Sequence, residues 1–134
     1  MGSETILVVD DETVVRDYCH SVLERAGYQV LQAGSGEEAL AICSEYKGTI
    51  SLALVDVVMP GISGVELAKR LTRRMRIAMM SGYTPAEIKR LIGKRGADYH
   101  FFWKPFDTTT FLKTIRNLLD RPLPAHNAAA GAGS

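Results

Sequence analysis

The chain has 134 residues, of which 46% are hydrophobic and 23% charged, and its formal net charge at pH 7 is +1. This composition predicts one globular domain with a substantial core, and the small net charge gives no reason to expect direct binding of nucleic acid. No apolar run approaches the length of a membrane span and no signal peptide opens the chain, so we expect a cytoplasmic protein without membrane contact. The two cysteines, Cys19 and Cys43, are too few for a disulfide framework and suit a reducing compartment.

Strand and helix patterns alternate five times along the chain. The strands are short apolar runs, predicted over residues 5–10, 28–33, 51–56, 76–80 and 99–103. The first helix is predicted over residues 13–26 and ends at Gly27, as helices commonly do. Capping-box patterns open the next three helices at Ser35, Ser63 and Thr84, and Asp107 opens the last.

Five strand–helix units predict a parallel sheet with helices on both faces. The first, third and fourth strands are nearly all apolar, whereas the second contains Gln29 and Gln32 and the fifth begins near His100. Polar strands tolerate the edges of a sheet, which gives the order 2-1-3-4-5 of the flavodoxin-like α/β fold. The domain is predicted to span residues 5–121. Residues 1–4 would be a cloning remnant or disordered, and residues 122–134 a disordered tail.

Polar residues follow four of the five strands. The first strand ends in Asp10-Asp11-Glu12 and the third in Asp56, while Ser81 ends the fourth and Lys104 the fifth. Each has an ordinary explanation alone, as a helix-terminal acid, a turn residue or a surface cation. Because the carboxyl ends of parallel strands meet at one edge, where open α/β sheets bind ligands, the four together favour a functional site.

The residue types at this edge suit phosphoryl transfer. Clustered carboxylates repel one another, and Mg²⁺, which prefers a few carboxylates and several waters, removes that penalty. A hydroxyl from Ser81 and the ammonium of Lys104 could hold phosphoryl oxygens. Asp56 is then the candidate nucleophile, because carboxylates form aspartyl-phosphates.

At this point the chain resembles the receiver domains of two-component signalling (response-regulator) proteins, over about residues 5–120. The motifs that carry the resemblance are Val9-Asp10-Asp11-Glu12, Leu54-Val55-Asp56-Val57-Val58-Met59-Pro60-Gly61, Met80-Ser81-Gly82 and Trp103-Lys104-Pro105-Phe106. The resemblance leaves open whether the domain is a stand-alone regulator or the receiver of a hybrid histidine kinase or longer regulator.

The resemblance implies a role for each matching position. Asp56 would be the phosphoacceptor, with a histidine kinase or histidine phosphotransfer protein as the phosphoryl donor. Asp11 would bind Mg²⁺ directly and Asp10 through water, together with Asp56 and the backbone carbonyl of Val58. Ser81 and Lys104 would hold the phosphoryl oxygens, and the Lys104–Pro105 peptide bond would be cis. Such a domain catalyses its own phosphorylation and dephosphorylation and then changes an output surface, but it turns over no outside metabolite.

Four positions are expected to set the response. Phe101 occupies the position of the family's switch aromatic and has no hydroxyl, while Ser81 is the other switch residue. Val58 and Tyr83 are expected to border the approach of water to the phosphoryl group and so to tune its lifetime.

Three alternatives compete with a receiver domain. A phosphatase that forms an aspartyl-phosphate usually has a second acid two residues after its nucleophile, where this chain has Val58. A flavodoxin-like cofactor binder needs a phosphate loop after the first strand, where this chain is acidic. An unphosphorylated pseudo-receiver used for docking would not need the complete set of site residues. The sequence leaves open whether the domain stands alone or belongs to a longer regulator, and what its output is.

Overall fold

The predicted architecture is confirmed in the computed structural model, which describes residues 3–72, 74–96 and 99–121. Its parallel strands pair in the order β2-β1-β3-β4-β5 and are β1 (Thr5–Val9), β2 (Gln29–Ala33), β3 (Ile50–Asp56), β4 (Arg76–Ser81) and β5 (His100–Trp103). The helices are α1 (Thr13–Arg25), α2 (Gly36–Glu45), α3 (Gly64–Leu71), α4 (Pro85–Ile92) and α5 (Thr108–Asp120), and a 3-10 turn (Gly93–Gly96) follows α4. The first two residues and the predicted tail, 122–134, lie outside the described residues.

Each face of the sheet supports its own hydrophobic core. Side chains on a strand alternate between faces, so Leu7 of β1 packs in the core under α2, α3 and α4, while Ile6 packs in the core under α1 and α5. Both faces are covered, which is why the central strands are continuous apolar runs. The predicted edge strands are the observed ones, and Gln29 and His100 are exposed there.

Buried and exposed positions on the helices mostly follow the sequence pattern. Cys19 and Cys43 are buried free thiols, one in each core. Leu91 of α4 is 50% exposed, and the buried residues that anchor this helix are Ile88 and Ile92. The helix therefore contacts the core through one narrow face.

The helix caps differ in detail from the predicted capping boxes. At Thr84 the box is complete, because Glu87 also accepts from the Thr84 backbone N–H. Ser35 accepts from the backbone N–H of Glu38, but the carboxylate of Glu38 accepts from Gly34 instead of from the cap residue. Only the serine half of that predicted box forms. At the third helix, the Ser63 hydroxyl likewise accepts from the backbone N–H of Glu66.

The N-terminal edge of the sheet is closed by an ion pair. Arg116 of α5 binds both carboxylate oxygens of Glu4, at 3.2 and 2.7 Å, and the Glu4 carbonyl accepts from the N–H of Gln29. Glu4 belongs to residues 1–4, which the sequence predicts to be a cloning remnant or disordered, and it has hydrogen-bond partners on α5 and β2. None of the helices in the described part of the chain is long and apolar enough to cross a membrane.

Candidate functional site

Strand register brings the predicted site residues to one edge of the sheet. In the pairing of β1 with β3, Val9 lies opposite Val55, so Asp10 and Asp56 follow on neighbouring strands. On the other side of β3, β4 ends at Ser81, whose carbonyl accepts from the backbone N–H of Lys104 at 2.8 Å. The carboxyl ends of four strands therefore converge on one small region.

Three carboxylates form the centre of this region. One oxygen each from Asp10, Asp11 and Asp56 lie within 4.8 Å of one another. Asp10 is fully buried and Asp56 is 7% exposed, whereas Asp11 is exposed to solvent. The cluster therefore has two carboxylates set into the protein and one at its mouth.

The cluster makes ionisation of Asp56 unfavourable. Burial, and then the charges of Asp10 and Asp11, raise the pKa of the Asp56 carboxyl from 3.8 to about 7, although Lys104 and the backbone N–H of Val58 act in the opposite direction. A hard divalent cation offsets both the burial and the repulsion, and Mg²⁺ takes carboxylate oxygens with several waters. The donor set, its spacing and its open side at Asp11 fit such an ion.

Lys104 is the cation of the site. Its Nζ lies 2.8 Å from Asp10 Oδ2, 3.5 Å from Glu12 Oε1 and 3.8 Å from Asp56 Oδ1. Burial alone would lower the pKa of Lys104, but the hydrogen bond to Asp10 and the nearby Asp56 charge together raise it. The side chain is therefore a fixed ammonium directed at the acid cluster. The Lys104–Pro105 peptide bond is cis, as the resemblance implies.

Ser81 is at the expected place, but its hydroxyl is already hydrogen-bonded elsewhere. The side chain is fully buried, and its Oγ accepts from the backbone N–H of Tyr83 at 2.9 Å and donates to the Tyr83 carbonyl at 3.2 Å. The hydroxyl thus holds the loop between β4 and α4. A group that drew the hydroxyl toward Asp56 would release that loop.

The other three positions predicted to set the response are Val58, Tyr83 and Phe101. Val58 and Tyr83 are each 43% exposed, and each belongs to a loop that leaves the sheet at this edge. Phe101 of β5 is half-buried, and its ring stacks on Trp103 with the centroids 5.1 Å apart and the planes at 11°. The aromatic pair therefore lies on β5, a strand at the edge of the sheet.

Two residues that support the site had no signal in the sequence analysis. A Cβ on Gly64 would lie 2.0 Å from the carbonyl oxygen of Asp56 and 2.8 Å from Cα of Val57, so the first turn of α3 can approach β3 only because this residue is glycine. Arg16 of α1 donates from Nη1 to the carbonyl of Asp10 at 2.6 Å. Such partners could be found from sequence only through an alignment of relatives, because both act on the backbone.

Comparison with known proteins identifies the class. The family model described as response regulator receiver domain matches residues 6–116. The chain therefore belongs to the receiver-domain family and is a signalling phosphoacceptor of two-component systems. The phosphatase and cofactor-binding alternatives are not favoured.

Individual relatives show the settings in which such a domain occurs. The chain is 36% identical over 126 residues to the aerobic respiration control protein ArcA of Escherichia coli (strain K12), a match that covers 92% of this chain and 51% of ArcA. It is 33% identical over 127 residues to the sporulation initiation phosphotransferase F of Bacillus subtilis (strain 168), covering 92% of this chain and 97% of that protein. The crystal structure of the receiver domain from the hybrid histidine kinase CckA superposes with a TM-score of 0.71 at 36% identity, covering 87% of this chain and 99% of that one. The chain thus spans about half the length of the first curated relative, and nearly all of the second.

Proposed function

We propose that this domain accepts a phosphoryl group on Asp56 from the phosphohistidine of a histidine kinase or a histidine phosphotransfer protein. The observation that supports this most strongly is the convergence of three carboxylates and the Lys104 ammonium at one edge of the sheet. Mg²⁺ would be held by Asp11 and Asp56, with the backbone carbonyl of Val58 as a further ligand. It would neutralise the charge of the transferring phosphoryl oxygens.

The hydrogen bonds of Asp10 support an indirect role for it. Its Oδ1 accepts from the backbone N–H of Glu12 at 2.9 Å, and its Oδ2 accepts from Lys104 at 2.8 Å. Both oxygens already have a protein partner, so Asp10 is suited to hold a metal-bound water. Asp11 is exposed beside it and is suited to direct coordination.

The transfer step uses the ionised carboxylate of Asp56. One of its oxygens attacks the phosphorus, the N–P bond of the donor breaks, and the bonding electron pair returns to the imidazole nitrogen. Lys104 is held close enough to contact a phosphoryl oxygen with a small movement of its ammonium, and Ser81 could do so after leaving Tyr83. The same residues would let the domain catalyse its own dephosphorylation by water, whose approach Val58 and Tyr83 border.

The output follows from the competition for Ser81. Its hydroxyl cannot both contact a phosphoryl oxygen and keep its hydrogen bonds to the Tyr83 backbone. Phosphorylation would therefore release the β4–α4 loop and let Phe101 change its packing, which alters the face formed by α4, β5 and α5. We also propose a cytoplasmic location, because the buried free thiols Cys19 and Cys43 suit a reducing compartment.

Labelling with a small-molecule phosphodonor tests the proposal. Incubation with acetyl phosphate and Mg²⁺ should add one phosphoryl group that is lost in both acid and base, as an acyl phosphate is. Asp56→Asn should abolish the labelling, whereas Asp17→Asn, a matched change of an exposed carboxylate on α1, should leave it intact. The assignment would be refuted if the Asp56 variant were labelled at the wild-type level, or if chelation of Mg²⁺ left the labelling unchanged.

A further inference from the structure

Arg16 lies behind the acid cluster and joins the end of β1 to the start of α1. Its Nη1 donates to the carbonyl of Asp10 at 2.6 Å, and its Nη2 donates to Oγ1 of Thr13 at 3.2 Å. The guanidinium therefore spans the short loop that contains Asp11 and Glu12. Both ends of that loop are held by one side chain.

We propose that Arg16 is a positioning residue for the Mg²⁺ site, acting through the backbone of the loop that contains Asp11. The proposal rests on the function proposed above and adds to it a residue that touches neither the metal nor the phosphoryl group. A planar guanidinium is suited to this task, because its donors are fixed in direction and it remains charged at all relevant pH values.

The hydrogen bonds of Asp10 show why the effect should reach Asp11. The Asp10 N–H donates to the carbonyl of Ala33 at 3.1 Å, its carboxylate is held by Glu12 and Lys104, and its carbonyl is held by Arg16. The Asp10–Asp11 peptide is thus fixed at its carbonyl by Arg16. The exposed Asp11 side chain takes its direction from this peptide, so loss of Arg16 should leave Asp10 in place and loosen Asp11.

A glycine on the next loop makes room for the guanidinium. A Cβ on Gly34 would lie 3.2 Å from Nη1 and 3.7 Å from Cζ of Arg16, and 3.4 Å from Oε1 of Glu38. The N–H of Gly34 donates to Oε1 of Glu38 at 2.6 Å, which holds this loop against the start of α2. The loop from β2 to α2 therefore forms the wall against which Arg16 is seated, and a larger side chain at position 34 should displace the guanidinium without altering Arg16 itself.

Mg²⁺ titration of the intact chain tests the proposal, with Trp103 fluorescence as the readout because Trp103 adjoins Lys104. Arg16→Met keeps the aliphatic part of the side chain and should weaken Mg²⁺ binding about tenfold, as loss of groups that orient metal ligands does. Arg16→Lys keeps the charge but only one donor nitrogen, so its Mg²⁺ affinity should fall between that of Arg16→Met and that of wild type. Gly34→Val should weaken binding in the same direction, and Arg25→Met, an exposed change on the same helix, should not.

The labelling rate separates positioning from a general structural defect. At low Mg²⁺ the Arg16→Met protein should react with acetyl phosphate more slowly than wild type, and at saturating Mg²⁺ the two maximal rates should agree within about twofold. If Arg16→Met fails to fold, the Mg²⁺ affinity of Gly34→Val tests the positioning role instead, because that substitution leaves the sequence of α1 unchanged.

Two outcomes contradict the proposal, and they differ in what else they overturn. Mg²⁺ affinities of Arg16→Met and Gly34→Val within twofold of a responsive wild type would refute the positioning role alone. A wild-type protein that neither responds to Mg²⁺ nor becomes labelled would refute the proposed function and this inference with it. A reduced maximal rate at saturating Mg²⁺, with unchanged affinity, would also refute the positioning role, since the defect would then lie in the transfer step.

Discussion

The raised pKa of Asp56 predicts that the Asp56 carboxylate destabilises the metal-free domain at neutral and alkaline pH. Burial and the neighbouring acids raise its pKa from 3.8 to about 7, so its ionised form is less favourable in the folded than in the unfolded chain. Asp56→Asn removes that charge but keeps the shape of the side chain. Lys104 retains its closer partner, Asp10, at 2.8 Å, so loss of its 3.8 Å contact with Asp56 should cost little.

The size and the pH window of the effect follow from proton linkage. Below pH 3.8 Asp56 is protonated in both states and imposes no penalty. Between pH 4 and 7 the unfolded chain has released the proton while the folded chain keeps it, so wild-type stability falls relative to the variant as pH rises. Above pH 7 the difference is complete and amounts to about 4 kcal/mol of unfolding free energy, as an upper value.

Urea denaturation in the presence of a chelator measures this difference. Unfolding free energies of wild type and Asp56→Asn, compared at each pH from 5 to 8, should diverge in favour of the variant up to about pH 7 and then level off. Asp17→Asn, at an exposed site on α1, should stay within about 0.5 kcal/mol of wild type throughout. Saturating Mg²⁺ should reduce the divergence by stabilising wild type more than the variant. A difference independent of pH, or a variant less stable than wild type at pH 8, would refute the reasoning.

Two further predictions concern the loops around the site. Gly64→Ala should lower the unfolding free energy by about 3 kcal/mol, because its methyl group would overlap the carbonyl of Asp56. Gly82→Ala should be nearly neutral, because a Cβ there meets nothing closer than 4.0 Å. Equal urea midpoints for the two variants would contradict this prediction. Val58→Asn combined with Tyr83→Ala should shorten the lifetime of phospho-Asp56 about tenfold, or ~1.4 kcal/mol of barrier, because a carboxamide orients water and removal of the exposed ring opens its approach. Decay after removal of the phosphodonor at fixed Mg²⁺ measures that lifetime, and decay at the wild-type rate or slower would show that these side chains do not restrain water.

The sequence alone was sufficient to predict the strands, their order and the edge where the polar residues meet. Its apolar runs are continuous because the central strands are covered on both faces, and polar residues such as Gln29 mark the sheet edges. A parallel sheet places the carboxyl ends of its strands together whatever the details of packing. For that reason Asp10, Asp56, Ser81 and Lys104 could be assigned to one region before any distance was known.

Only the tertiary structure decided which partner each polar group takes. Ser81 is bonded to the backbone of Tyr83, and Arg16 reaches the carbonyl of Asp10. A hydrogen bond contributes only about 1 kcal/mol net, so the choice of partner depends on distances between elements that are remote in sequence. The same holds for the close approach at Gly64 and the raised pKa of Asp56, since both are produced by the proximity of neighbouring chain segments.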